Sequence, residues 1–178
     1  KITKLLLDKV DKEQWQQAIE IENILQKRSP VAAKRQARLI KKRLLTMTPE
    51  LWAMIADGSA EIAVQALFAA AIKDSRLLGD FMLKIVHERW RMFERRLSLS
   101  DWNDYIEMCA QIDPGIMKWS EPTQKKVRQV VFRILAEAGY IDSTKTLNML
   151  PAIIHPKIET YLHSHNEEYI LQCMQATQ

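Results

Sequence analysis

Three times in this chain a hydroxyl residue stands at or just before a proline that could open a helix: Ser29-Pro30, Thr48-Pro49 and Ser120-Glu121-Pro122. A hydroxyl at the N-cap accepts a free backbone N–H, and proline in the first turn lacks an N–H that would go unused there. The same 178 residues hold only four glycines, too few for a protein of many short strands and tight turns, while Leu, Ala, Ile, Lys, Gln and Arg abound. An all-α fold follows, with helix boundaries that can be read in advance.

Apolar residues at Trp15, Ile19, Ile21, Ile24 and Leu25 predict one long or two shorter helices between Leu5 and Lys27. Further helices are expected from Pro30 to about Leu45, from Pro49 to Ala56 with Asp57-Gly58 as the stop, and from Ser59 to Asp74. The last of these is apolar nearly all round and should be the most buried. Leu77 to Leu97 reads as a helix with an arginine-rich, aromatic second half, and Ser100-Asp101 as the cap of another helix from Trp102 to Gln111. Gly139 should close the helix that begins at Ser120. Beyond it "YIDSTKTLNML" suggests one short β-hairpin near 140–150, and Pro156–His163 and Asn166–Met174 two terminal helices. The expected architecture is a compact multi-helix bundle, one continuous domain with an N-terminal half 1–98 and a C-terminal half 99–178.

Several functions are excluded or disfavoured. The longest apolar run, Ile62 to Ile72, falls far short of the roughly 20 residues that span a bilayer. Cys109 and Cys173 lie far apart and form no C-x-x-C pair, which fits free thiols in a reduced cytoplasm. His87, His155, His163 and His165 form no metal-ligand motif, and side chains at i and i+2, as at His163 and His165, point about 200° apart on a helix. No nucleophile elbow, P-loop or dinucleotide-binding glycine pattern occurs. The chain is therefore expected to be no enzyme, with no cofactor, metal or small-molecule substrate. Five tryptophans spread singly along the helices read as core anchors.

Charge is where the sequence is specific. Although the formal net charge is only +4, residues 27–44, "KRSPVAAKRQARLIKKRL", carry eight basic side chains, and no acid occurs from Asn23 to Pro49. At about 100° per residue, Lys34, Arg38 and Lys41 form one stripe with Arg35 and Lys42 beside it. Ala33, Ala37, Ile40 and Leu44 lie on the far side, with Ala32 and Leu39 at its edge. One face can dock on a core while the other projects five cations, at a repulsion of a few tenths of a kcal/mol per i,i+4 pair. A merely solvated face would normally intersperse glutamates, so a polyanion is the favoured partner, reached through the cations and through free N–H groups at the Pro30 end. The preceding helix, Gln14 to Gln26, and the Lys27-Arg28-Ser29 turn give the outline of a helix-turn-helix. The alanine-rich far side lacks the bulky aromatics of a membrane-surface helix, which favours nucleic acid. Five phosphate contacts would give a log–log salt slope of about −4.5.

A second basic face, Lys125, Lys126, Gln129 and Arg133, lies opposite Val127, Val130, Val131 and Ile134. With the hairpin after it and Lys145 at the tip, the C-terminal half has the outline of a winged helix. A third cluster, Arg89, Arg91, Arg95 and Arg96, interleaves with Glu88 and Glu94, so local ion pairing accounts for it.

The order of four segments is also familiar: "ENILQKRSPVAAKRQARLIKKRL", "LLGDFMLKIVHE", "WSEPTQKKVRQVVFRILAEAGYID" and "PAIIHPKIETYL". With Ser120-x-x-Thr123 before a basic helix and I-L-x-E-A-G at Ile134 to Gly139, the chain resembles the BrxA family of BREX bacteriophage-exclusion systems from about residue 20 to 174. The resemblance implies a mostly helical, NusB-like outline and a non-enzymatic cytoplasmic protein that binds double-stranded DNA beside other BREX proteins. Carried to this chain, its DNA contacts would be Lys27, Arg28, Lys34, Arg35, Arg38, Lys41 and Lys42, with Lys125, Lys126 and Arg133 added by the charge pattern. The rival expectation is an adaptor that bridges defence components through the same surface or through Arg89 to Leu97.

Overall fold

The structure, a computed structural model, describes residues 1–178. The chain divides into two compact units, Lys1–Asp74 and Ser75–Gln178. With 68% of residues helical and only the isolated antiparallel bridges Arg96–Asn148 and Ile141–Met149, the fold class is all-α.

In the first unit, α1 (Ile2–Leu7) and α2 (Lys12–Gln16) precede a π-helical turn, Gln17–Ile21. The expected helix up to Lys27 stops there: Asn23 and Gln26 take φ of 47° and 53°, which breaks the helical path. Next come α3 (Pro30–Leu44), α4 (Pro49–Asp57) and α5 (Ala60–Asp74). Ile2, Ile19, Ala33, Ala37 and Leu44 form a buried cluster, with Trp15, Trp52, Ile40 and Ile55 packed around it. The two alanines let α3 lie close to its neighbours, since no larger side chain holds the backbones apart. The half-buried Trp52 fixes the end of the helix by donating its indole N–H to the Leu44 carbonyl at 2.7 Å. α5 buries Ile62, Ala66, Phe68, Ala69, Ala70, Ala71 and Ile72, as its composition predicts, while Val64 and Leu67 reach solvent.

In the second unit, α6 (Arg76–Phe81) runs through a π-helical turn, Met82–Val86, into α7 (His87–Arg91). The predicted continuation to Leu97 fails because Phe93 adopts φ 60°. α8 (Leu99–Ile112) is capped by Ser98, two residues earlier than expected, with Asp101 closing a capping box. A 3₁₀ turn at Ile116–Lys118 leads into α9 (Glu121–Glu137), and Gly139 follows at φ 81°. α10 (Pro156–Ser164) and α11 (Glu168–Met174) complete the unit. Its core holds Phe81, Trp102, Tyr105 and Phe132, whose tilted and edge-on rings stand 5.2 to 6.1 Å apart. Of the tryptophans only Trp102 is fully buried; the others are half-buried.

The segment predicted as a hairpin is a tight turn carrying single bridges. The Asp142 carboxylate gathers the N–H groups of Ser143 (2.6 Å) and Asn148 (3.0 Å) and the Thr146 hydroxyl (2.8 Å). Leu147 takes φ 58°, so the chain curls and no ladder extends. Leu97, next to the division suggested at 98, lies within the second unit and donates its N–H to the Leu147 carbonyl at 3.0 Å.

Candidate nucleic-acid interface

The alanine seat of α3 decides which of its cations can meet a ligand. Ala33, Ala37 and Leu44 are buried, so Lys34, Arg35, Arg38 and Lys42 point outward and are exposed, with Lys41 half-exposed. Three of the five are nevertheless engaged. Lys34 Nζ pairs with Glu20 at 3.2 Å, Lys42 Nζ pairs with Asp74 at 2.8 Å, and Lys41 Nζ sits 4.3 Å from the centre of the Trp15 ring. Arg35 and Arg38 carry no ion pair.

The pairs differ in how easily they open. Asp74 is also approached by Arg43 Nε at 3.5 Å, and its side chain is only 9% exposed, so it is held between two cations. Glu20 meets one partner only, and Lys34 is itself largely solvated, where an ion pair contributes about 0–1 kcal/mol. Lys34 is therefore held by Glu20 alone, and neutralising that one carboxylate would free it at little cost to the fold. Sequence reasoning missed Glu20, Asp74 and Trp15 as neighbours of the strip because they come from other helices, and it missed Arg43, whose Nε is buried without a hydrogen-bond partner.

Lys27 and Arg28 are exposed on the connection that leads into α3 and make no ion pair. That connection is shaped by Asn23, whose side-chain amide donates to the Lys27 carbonyl (2.7 Å) and accepts the Lys27 N–H (2.9 Å). The signal was present in the residue type, since asparagine tolerates positive φ and closes short loops on itself. Eight residues, Glu22 to Ser29, join the π-helical turn to α3, against the three or four of a helix-turn-helix. The helix N-terminus is also less open than expected. Pro30 has no N–H, Ala32 donates to Ser29 Oγ (3.2 Å) and Ala33 to the Ser29 carbonyl (3.0 Å). What α3 offers an anion is chiefly its side-chain cations.

In the second unit, Lys125, Lys126 and Arg133 are exposed on α9 and free of ion pairs. The buried face is Val131, Phe132 and Leu135, with Val127, Val130 and Ile134 half-buried beside it. Of the arginine cluster in and after α7, Arg89 pairs with Glu94 (2.6 Å) and Asp101 (2.5 Å) and Arg91 with Glu88 (3.2 Å), whereas the expected pairing fails for Arg95 and Arg96, which meet the Trp90 and Thr146 carbonyls instead. The Glu94 hydrogen bond, then Asp101, raises the Arg89 pKa above its ordinary value. His163 faces Glu168 at 2.7 Å, His165 stacks on Tyr161 at 4.2 Å, and the Cys173 thiol donates to the Gly79 carbonyl at 3.4 Å, so these three groups do not converge. No helix is long and apolar enough to cross a membrane.

Fold and surface together define an all-helical protein in which a long acid-free helix, α3, is seated on alanines and turned cation-outward. A family model for BrxA matches residues 1–166. The BREX protein BrxA of Paramagnetospirillum magneticum (strain ATCC 700264 / AMB-1) is 46% identical over 176 residues, 99% of this chain and 88% of that protein. The BREX protein BrxA of Escherichia coli O9:H4 (strain HS) is 30% identical over 98% of this chain and 82% of its own length. A crystal structure of an uncharacterized protein from Magnetospirillum magneticum superposes with a TM-score of 0.88 at 44% identity, covering 98% of this chain and 90% of that one. The chain belongs to the BrxA family of BREX phage-defence proteins.

Proposed function

We propose that this protein binds double-stranded DNA through its phosphates, as a non-enzymatic cytoplasmic component of a BREX system that works beside the other proteins of that system. The observation that carries the reading is the pair Arg35 and Arg38, exposed at the middle of an acid-free helix with no carboxylate opposite. Lys27 and Arg28 extend the open charge before α3, and Lys34, Lys41 and Lys42 border it. Lys125, Lys126 and Arg133 offer a second set of contacts on α9. Lys and Arg without a reading set of Asn or Gln favour backbone contact over base recognition.

The test is a gel-shift titration of mixed-sequence duplex against salt, with Arg35→Glu and Arg38→Glu combined. Binding that weakens steeply with salt and is lost in the double variant is the expected result. Undetectable binding at low salt, or binding indifferent to salt, refutes the proposal. A double variant that still binds duplex but no longer retains other BREX proteins replaces it with the adaptor reading.

A further inference from the structure

The turn after α7 carries a feature that the basic helices do not use. Phe93 sits at φ 60°, a region that is strained for a residue with a large side chain. Its N–H donates to the Trp90 carbonyl and that of Glu94 to the Arg89 carbonyl, both at 3.0 Å. The result is a tight turn with an apolar tip: Phe93 is 82% exposed and Met92 64%. Packing gains nothing from an aromatic ring placed there.

The tip is held firmly. The Arg95 guanidinium lies 3.7 Å from the centre of the Trp90 ring and 5.6 Å from that of Phe93, and it donates to the Trp90 carbonyl at 2.7 Å. Met149 N–H donates to the Arg95 carbonyl (2.8 Å) and Arg96 Nε to the Thr146 carbonyl (3.0 Å). The Phe93 turn is thus clipped to the 142–149 turn, which carries the exposed Lys145. Around the tip, Glu88 and Glu94 are taken by Arg91 and Arg89, and the Asp142 carboxylate is bound within its own turn. Arg95, Arg96 and Lys145 have no acidic partner.

We propose that Phe93, backed by Met92, is a wedge that enters the minor groove of duplex DNA and partly unstacks a base step, while Arg95, Arg96 and Lys145 take the flanking phosphates. This rests on the duplex binding proposed above and adds a deformation of the DNA to it. Apolar side chains inserted between base pairs kink the helix, most readily at pyrimidine–purine steps. The three unopposed cations around the tip favour a phosphate-bearing partner over an apolar protein surface.

The experiment uses the full chain and a duplex with 2-aminopurine at a central pyrimidine–purine step and dyes at its ends. The wild type raises the 2-aminopurine fluorescence and shortens the end-to-end distance; Phe93→Leu, which keeps an apolar wedge, retains both. Phe93→Gly loses both and binds about tenfold more weakly, the scale of one lost stacking contact. Because glycine takes φ 60° without strain, its thermal midpoint is held or raised, which separates loss of the wedge from loss of the fold. A Phe93→Gly variant that unstacks and bends like the wild type overturns the wedge alone, provided the wild type still needs Arg35 and Arg38 to bind. A wild type that binds no duplex overturns both proposals, and loss of retained BREX proteins with unchanged DNA behaviour reassigns the tip to a protein contact.

Discussion

Replacing Glu20 by glutamine should make the protein a more salt-sensitive, tighter DNA binder, which is the opposite of what damage to the fold would do. In the first unit Lys27, Arg28, Arg35 and Arg38 are open, whereas Lys34 is held by Glu20 at 3.2 Å. Each phosphate neutralised contributes about −0.9 to the log–log salt slope, so four open cations give about −3.6 and affinity falls about 150-fold between roughly 50 and 200 mM salt. The Glu20→Gln change would release Lys34 as a fifth contact. The slope then steepens to about −4.5 and the fall over the same range to about 500-fold, with the gain in affinity concentrated at low salt. Cations elsewhere raise both slopes equally and cancel in the difference. With Lys34 largely solvated, the pair stabilises the fold by about 1 kcal/mol, so the variant stays folded. Fluorescence anisotropy of a short mixed-sequence duplex across a salt series reads the slope, and thermal melting confirms the fold. An unchanged or shallower slope at an intact melting midpoint would mean that Lys34 is not beside phosphate, and the outward face of α3 would not be the one that meets DNA.

Three further outcomes follow from the packing. Asp101→Ala should destabilise the second unit by about 1–3 kcal/mol in denaturant unfolding, because the buried carboxylate accepts from Arg89 (2.5 Å), the Ser98 N–H (2.7 Å) and the Ser98 hydroxyl (2.9 Å), while Arg89 keeps Glu94 as a partner. The Cys173 thiol, buried and pushed up to about 12, should resist disulfide reagents near neutral pH until the chain is unfolded; rapid native labelling of Cys173 in a peptide map would contradict its placement. The Thr146 hydroxyl and the Asn148 and Ser143 contacts hold the Asp142 carboxyl below its ordinary value. A depressed folded-state pKa stabilises the turn above the unfolded-state pKa, and that stabilisation is lost as pH falls through the folded value. Amide exchange at residues 143–148 should therefore stay slow through mildly acidic pH and accelerate only below the ordinary carboxylate range, and Asp142→Asn should abolish the transition.

The helices were legible wherever a local signal set their ends. Ser29-Pro30, Thr48-Pro49 and Gly139 mark boundaries that the structure keeps at Pro30, Pro49 and Glu137. The misreadings share a cause. Phe93, Gln26 and Leu147 are ordinary helix or strand formers held at positive φ, and nothing in their residue types announces it. The buried face of α3 followed from its spacing, because alanine, isoleucine and leucine recur on one side. The partners of its cations were not legible, since Glu20 and Asp74 arrive from elements ten or more residues away and are placed by tertiary packing.

Those partners explain how the chain tolerates an acid-free helix. Five outward cations on one face repel one another, and neutralising all of them would have removed the site proposed here. Here the relief is applied at the flanks: Glu20 holds Lys34 toward the start of the strip, Trp15 and Asp74 take Lys41 and Lys42 toward its end, and Lys41, Lys42 and Arg43 gain from the negative pole of the helix. Arg35 and Arg38 are left between them, one turn apart and without a carboxylate. The residual repulsion is thereby confined to the two side chains best suited to a phosphate, because a guanidinium can engage two oxygens at once. A helix stabilised at both ends of its charge and left open in the middle keeps two free guanidinium groups at little cost to its own stability.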